Sequence, residues 1–297
     1  MELEDEHYSR GDVKREIAEF SRGRWAAVYC SDIGGGKPTF RRYTAEGRPL
    51  TVSTPGEVWR LYEELRELHP RAFYATALKY RRLGSRYDLL DPENPYACTP
   101  TWDIDNEPSM WEATLRAAEL ILDELRLHGV SESVYLKWSG RGCHVHIHEG
   151  AISQELLSKV GALNASYAVV EYVCLKVAGR VAELAVRSGA STLKVENRID
   201  PQRLFTCPLS LHRRLDAVCV CFKPEELHEF HPDWTKPHTF RHNPEWRRYV
   251  QGEADELVRR AYEAVGGYPR PYRPRRRKHP PLDRQILRWL RSSPQKI

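Results

Sequence analysis

The chain has 297 residues, 41% apolar, 29% charged and 10% aromatic, which suits one large folded domain or two small ones and excludes disordered, collagenous and fibrous classes. Lys and Arg number 46 against 41 Asp and Glu, so a net charge of +5 is too thin to argue for a polyanionic partner. Arg outnumbers Lys by 35 to 11, and the guanidinium fork binds phosphate bidentately, although a GC-rich genome or a hot habitat produces the same skew. The opening MELEDEHYSR is acidic, and no run of about 18 apolar residues occurs. The expectation is a cytoplasmic protein without membrane contact. None of the seven Cys forms a CxxC pair, which argues against a disulfide framework.

In chain order, RWAAVYC reads as an apolar strand separated from FRRY by Gly34, Gly35 and Gly36. Ser53, Thr54 and Pro55 supply a cap and a first-turn Pro for a helix in which Val58, Leu61, Leu65 and Leu68 recur at helical spacing. AFYATALKY fits strand or helix, and SRYDLLDPENPYACTP is turn-rich. TWDID is a short apolar strand, followed by the amphipathic helix WEATLRAAELILDELRLHG, which Gly129 ends. SVYLKWSGRGCHVHIHEG reads as strand, glycine turn, strand. One or two helices span 153–188, STLKVEN is a strand, IDPQRLFTCPLSLHRR is irregular and AVCVCF is a buried strand. The order predicts an α+β fold, with helices beside a mixed, largely antiparallel sheet and an N-terminal α/β unit.

Asp103 and Asp105 alternate in a strand, so both carboxylates leave one face about 6 to 7 Å apart at their Cα atoms. Hard oxygen ligands this close invite Mg²⁺ or Mn²⁺ bridging to phosphate; strand ends on a protein surface also carry such pairs. The turn Ser139-Gly140-Arg141-Gly142-Cys143-His144 combines close backbone approach with Arg, Ser and His donors, which suits a triphosphate. The alternative is a glycine hairpin with a solvated Arg. His146 and His148 share the strand face of His144 but lack matching ligands, so they read as plain strand and surface residues.

WDID, a helix ending in HG, SGRGCHVHI and DPQRLFTCPLSLHRR, in that order, resemble the archaeo-eukaryotic primase superfamily, most closely the catalytic small subunit of archaeal and eukaryotic primases or a stand-alone prim-pol. FYATALKY is similar to that subunit too, and the resemblance spans roughly residues 20 to 225. It implies an RNA-recognition-like sheet and template-directed nucleotidyl transfer from NTPs or dNTPs. Asp103 and Asp105 match the pair that binds two Mg²⁺ or Mn²⁺ ions; Ser139, Arg141 and His144 match the triphosphate motif. Arg203, Ser210 and His212 match the segment that completes the nucleotide site, and Arg214 falls where a Lys commonly follows.

Three departures accompany the match. Ungapped counting puts Lys194 at the third carboxylate, whereas a two-residue deletion restores Glu196, with Asp200 as the second choice. If neither serves, a non-catalytic nucleotide- or DNA-binding relative results. The zinc element of many primase small subunits is missing after the first motif, and Cys219, Cys221, His228 and His231 fit no common zinc spacing, so no zinc is expected. Thr206 stands where a basic residue is expected. The implied partners are single-stranded DNA template and primer, with a primase large subunit or another replication or repair protein as a further candidate. A polymerase that only extends ends is an alternative to one that starts chains.

The expected division is a catalytic domain over 1–250 and a C-terminal part over 251–297, made of a helix, a basic Pro-rich linker and a short amphipathic tail. Four cations at 275–278, with Tyr268 and Tyr272 nearby, suit single-stranded template or a solvated linker. LDRQILRWLR has one apolar face for docking.

Overall fold

The structure is a computed structural model that describes residues 3–31 and 38–269. The expectations for Gly34 to Gly36, for the basic run and for the amphipathic tail lie outside those residues.

Two helices the sequence reading left out open the fold, α1 (Leu3–Ser9) and α2 (Gly11–Ser21). Tyr8 of α1 is buried, and Val13, Ile17 and Phe20 of α2 are buried and spaced for one helical face, which the surrounding charged residues obscure. The next helix, α3 (Pro55–Glu64), starts as expected, with Thr54 and Glu57 forming a reciprocal capping box and Pro55 in its first turn. The remaining helices are α4 (Trp111–Leu127), α5 (Gln154–Val160), α6 (Ala162–Ser188) and α7 (Asp255–Val265). Gly161, at φ +88°, divides α5 from α6.

The strands are antiparallel, in line with the largely antiparallel sheet expected, but they divide into two five-stranded sheets. The first runs β2 (Thr39–Arg41), β1 (Arg24–Cys30), β3 (Pro70–Tyr80), β4 (Pro95–Cys98), with β9 (Leu204–Thr206) also on β3. The ambiguous AFYATALKY is thus the central strand β3. The second sheet runs β10 (Val220–Phe222), β6 (Val134–Trp138), β7 (Cys143–Ile147), β5 (Thr101–Asp105), β8 (Lys194–Asn197).

The second sheet has two unlike faces, as strand alternation requires. Trp102, Ile104, Leu136, Val145 and Ile147 pack under α4 and α6, where the Trp102 indole donates to the Val170 carbonyl at 3.1 Å. The opposite face carries Thr101, Asp103, Tyr135, Lys137, His144 and His146, all buried. Phe205 of β9 covers it, with its ring 5.3 Å from that of His144 and 5.6 Å from that of His146. Arg24 on β1 links the layers through a buried ion pair with Glu149 at 2.9 Å. Lys79 on β3 meets the same carboxylate at 3.1 Å. Beyond residue 250, α7 packs on α6, and the Glu253 carboxylate accepts the backbone N–H groups of Ser131, Glu132 and Ser133. Among the described residues, no helix is long and apolar enough to cross a membrane.

Candidate functional site

Strand register assembles the site. Asp103 on β5 lies directly opposite His144 on β7 and Glu196 on β8, so the three side chains form a row across adjacent strands. Asp105 shares this face, is exposed, and lies opposite the exposed Lys194. The His144 Nε2 approaches Asp103 Oδ1 at 3.0 Å, and Arg203, just before β9, donates to Oδ2. Burial alone would raise the Asp103 carboxyl, but His144 and Arg203 hold it at about 2. Although its side chain reaches solvent, Asp105 is pushed up by the partial desolvation of its carboxylate and by the negative charge of Asp103.

Of the two candidates for a third carboxylate, Glu196 faces the pair and forms an ion pair with Arg198 at 2.5 Å. Asp200 instead accepts the Gln202 N–H at 2.7 Å and lies where its charge is felt by Tyr80 of β3 and by Arg42 just after β2. The donor chemistry of Asp103, Asp105 and Glu196 fits a hard divalent cation. Among the described residues, no three His, Cys, Asp or Glu side chains form a preformed metal cage. Arg203 and Arg198 neutralise Asp103 and Glu196 instead. Cys219 and Cys221 are buried thiols, while His228 and His231 are exposed.

The turn after β6 closes through Ser139 N–H to Gly142 O at 3.2 Å. Gly140 takes φ +113°, and a Cβ there would meet the His212 ring at 3.2 Å. At Gly142 a Cβ would lie 2.5 Å from the Ile104 carbonyl oxygen. The glycines therefore let the turn press between His212 and β5, leaving Arg141 exposed and Ser139 partly so. The His212 Nδ1 accepts the N–H groups of Arg214 at 3.1 Å and Leu215 at 3.0 Å, so the ring proton resides on Nε2. Burial and the charges of Arg213 and Arg141 lower His212 to about 4, making it a neutral donor near pH 7.

Sequence reading missed Arg71 on β3, which fixes this loop. Its guanidinium donates to the carbonyls of His212 at 3.2 Å and Leu215 at 2.9 Å and pairs with Glu4 and Asp216. Ser210 does not reach the surface beside the carboxylates: it is fully buried, and its Oγ accepts the Phe73 N–H at 2.7 Å. Arg214 is exposed at the loop, and Thr206 lies in β9 opposite Tyr74. Nor is His146 a surface residue, since it is completely buried and stacked on Tyr135. His148 is partly buried against Tyr249 and caps the following turn.

No protein-family model matches the chain, and no curated protein matches it in sequence. Among solved structures it is similar to the polymerase domain of Ligase D from Mycobacterium tuberculosis in complex with DNA, with a TM-score of 0.50 and 14% identity over 88% of each chain. The chain has a primase–polymerase fold. In this fold the DxD strand, the glycine turn and the RLFTCPLSLH segment, which are far apart in sequence, lie against one another.

Proposed function

We propose that the chain is a DNA-dependent nucleotidyltransferase that adds nucleotides to a primer 3′ end on a single-stranded template. The observation that carries this reading is the placement of Asp103, Asp105 and Glu196 on one sheet face beside His144, Arg203 and the Arg141 turn. The DNA in the Ligase D polymerase-domain structure supports nucleic acid as the partner.

Asp103, Asp105 and Glu196 would hold two Mg²⁺ or Mn²⁺ ions. When bound, such ions lower the pKa of a 3′-hydroxyl and neutralise charge on a leaving pyrophosphate. Arg203 leaves Asp103 for the triphosphate, Arg141 forks onto phosphate oxygens from the turn, and His212 donates from Nε2. The 3′ oxygen forms its bond to the α-phosphorus as the bond to pyrophosphate breaks, and the hydroxyl proton leaves to solvent. Asp103→Ala together with Asp105→Ala is expected to abolish extension of a primed template while far-UV circular dichroism stays unchanged. Extension by that variant would overturn the proposal.

The likeness to a ligase's polymerase domain favours a second reading, in which the protein extends existing ends without starting chains. Product from unprimed single-stranded template, with ribo- and deoxynucleotides compared, indicates initiation. Product from primed template alone indicates extension, and nucleotide binding without product a non-catalytic relative.

A further inference from the structure

The polar face of the second sheet continues inward from the carboxylates as a group of buried side chains with unmet hydrogen-bonding needs. Lys137 lies opposite His144, and Tyr135 opposite His146, on the paired strands β6 and β7. All four are buried, and each has one polar atom without a partner: Lys137 Nζ, His144 Nδ1, Tyr135 Oη and His146 Nε2. Buried polar atoms in folded proteins are almost always satisfied.

Their hydrogen-bond geometry defines what would satisfy them. His144 turns Nε2 to Asp103 at 3.0 Å, which leaves Nδ1 facing the interior without a partner. The Thr101 hydroxyl donates to the Thr99 carbonyl at 3.1 Å, so it accepts from His146 Nδ1 at 2.8 Å and leaves His146 Nε2 as a bare acceptor. Lys137 and Tyr135 bring donors, and so does the partnerless Arg24 Nε. Direct pairing is prevented by geometry. The Tyr135 and His146 rings stack at 4.7 Å and 17°, so the hydroxyl does not point at the ring nitrogen. The Lys137 ammonium sits over the Phe20 ring at 4.5 Å and the Phe205 ring at 5.4 Å. An anion would face the His146 lone pair and a metal cation would face Lys137. Water both donates and accepts, and meets both sets of groups.

We infer that these side chains enclose a cluster of buried waters that joins Lys137 Nζ to His144 Nδ1 and makes Lys137 a positioning residue for His144. The effect on turnover rests on the nucleotidyltransferase reading; the hydration does not. Through the waters, Lys137 fixes the imidazole so that Nε2 stays aimed at Asp103.

The test uses the full chain. A crystal structure that resolves waters is expected to show at least one within hydrogen-bond distance of Lys137 Nζ or of a water bound to it, and leading to His144 Nδ1. Lys137→Met is expected to lose that water, move the ¹⁵N resonance of His144 Nδ1 and lower kcat about tenfold with KM for primer–template unchanged. Lys137→Gln, which keeps a donor, should restore much of each signal. A dry contact in the wild-type crystal, or an unmoved ¹⁵N resonance in Lys137→Met, overturns the inference. Should Lys137→Met fail to fold, Tyr135→Phe removes another donor to the cluster and is read by the same resonance. A wild-type protein that shows the waters and the ¹⁵N change but transfers no nucleotide overturns the function proposed above and leaves the hydration standing.

Discussion

Gly142 in the turn and Ile104 on β5 are in direct backbone apposition, with room for hydrogen but not for a methyl group: a Cβ on Gly142 would sit 2.5 Å from the Ile104 carbonyl oxygen. Because the obstacle is backbone, Gly142→Ala must push the start of β7 away from β5, carrying His144 with it. The expected cost is about 1–3 kcal/mol of stability and roughly a hundredfold in turnover, the penalty for misplacing a site by an ångström. Thermal unfolding and steady-state kinetics check this; wild-type values for both would show that the turn tolerates a side chain.

Arg203 occupies the Asp103 carboxylate that the proposed function assigns to a metal ion. Arg203→Ala frees that carboxylate, so Mn²⁺ affinity without nucleotide should rise. Nucleotide KM should worsen by roughly tenfold to a hundredfold, the worth of a charged hydrogen bond. Calorimetric titration of Mn²⁺, with and without a non-hydrolysable nucleotide, separates the two effects. Unchanged Mn²⁺ affinity would mean that the arginine does not compete with the ion.

The loop around Leu209 to Leu215 should loosen in mild acid. His7 donates to the Leu209 carbonyl at 2.7 Å, and burial lowers its pKa to about 4, as it does for His212. Unfolded histidine titrates near about 6.5, so between that pH and about 4 the unfolded state binds more protons. Stability is therefore complete above about 6.5 and declines as pH falls through that window. His7→Gln retains a donor and should reduce the proton uptake on unfolding by about one. Amide hydrogen exchange of Leu209, Leu211 and Leu215 from pH 7 to 4.5 is the direct measurement.

Glu149 gives the opposite kind of titration. Burial would raise its carboxyl, but Arg24 foremost, with His148 and Lys79, holds it well below the ordinary range. Its contribution is present above the unfolded carboxyl value of about 4.3 and is lost as pH falls below that toward the lower folded value. Glu149→Ala leaves the buried Arg24 without its counter-charge and should cost about 3–5 kcal/mol. Urea unfolding at pH 7 tests the size, and an acid titration of the wild type tests the sign.

The motif strands were legible in sequence because alternation and flanking glycines announced them, and α3 because Thr54, Pro55 and Glu57 spell out its cap. Alternation also separated the two faces of β5, β6 and β7. It did not disclose that both would be buried: a polar face normally meets water, but here β9 and β1 cover it, which is why His146 read as a surface residue and Lys137 drew no notice. Register is equally silent in sequence. Only strand pairing brings Glu196 opposite Asp103 and sets Asp200 aside. Arg71 gave no signal, since its partners at Glu4, His212 and Asp216 are distant along the chain.

The first helix is also a clock. Glu4 meets Arg71, His7 meets the Leu209 carbonyl, and the Tyr8 hydroxyl accepts the Leu211 N–H at 3.1 Å. These contacts join α1 to a loop some two hundred positions later, so a ribosome adding about 5–20 residues per second delays that meeting by roughly 10–40 seconds. Until then the His7 and Tyr8 hydrogen bonds to the loop are unmade, although the Tyr8 ring already has Tyr62 and Phe73 to pack on, and the segment from Leu209 to Leu215 is held late in synthesis.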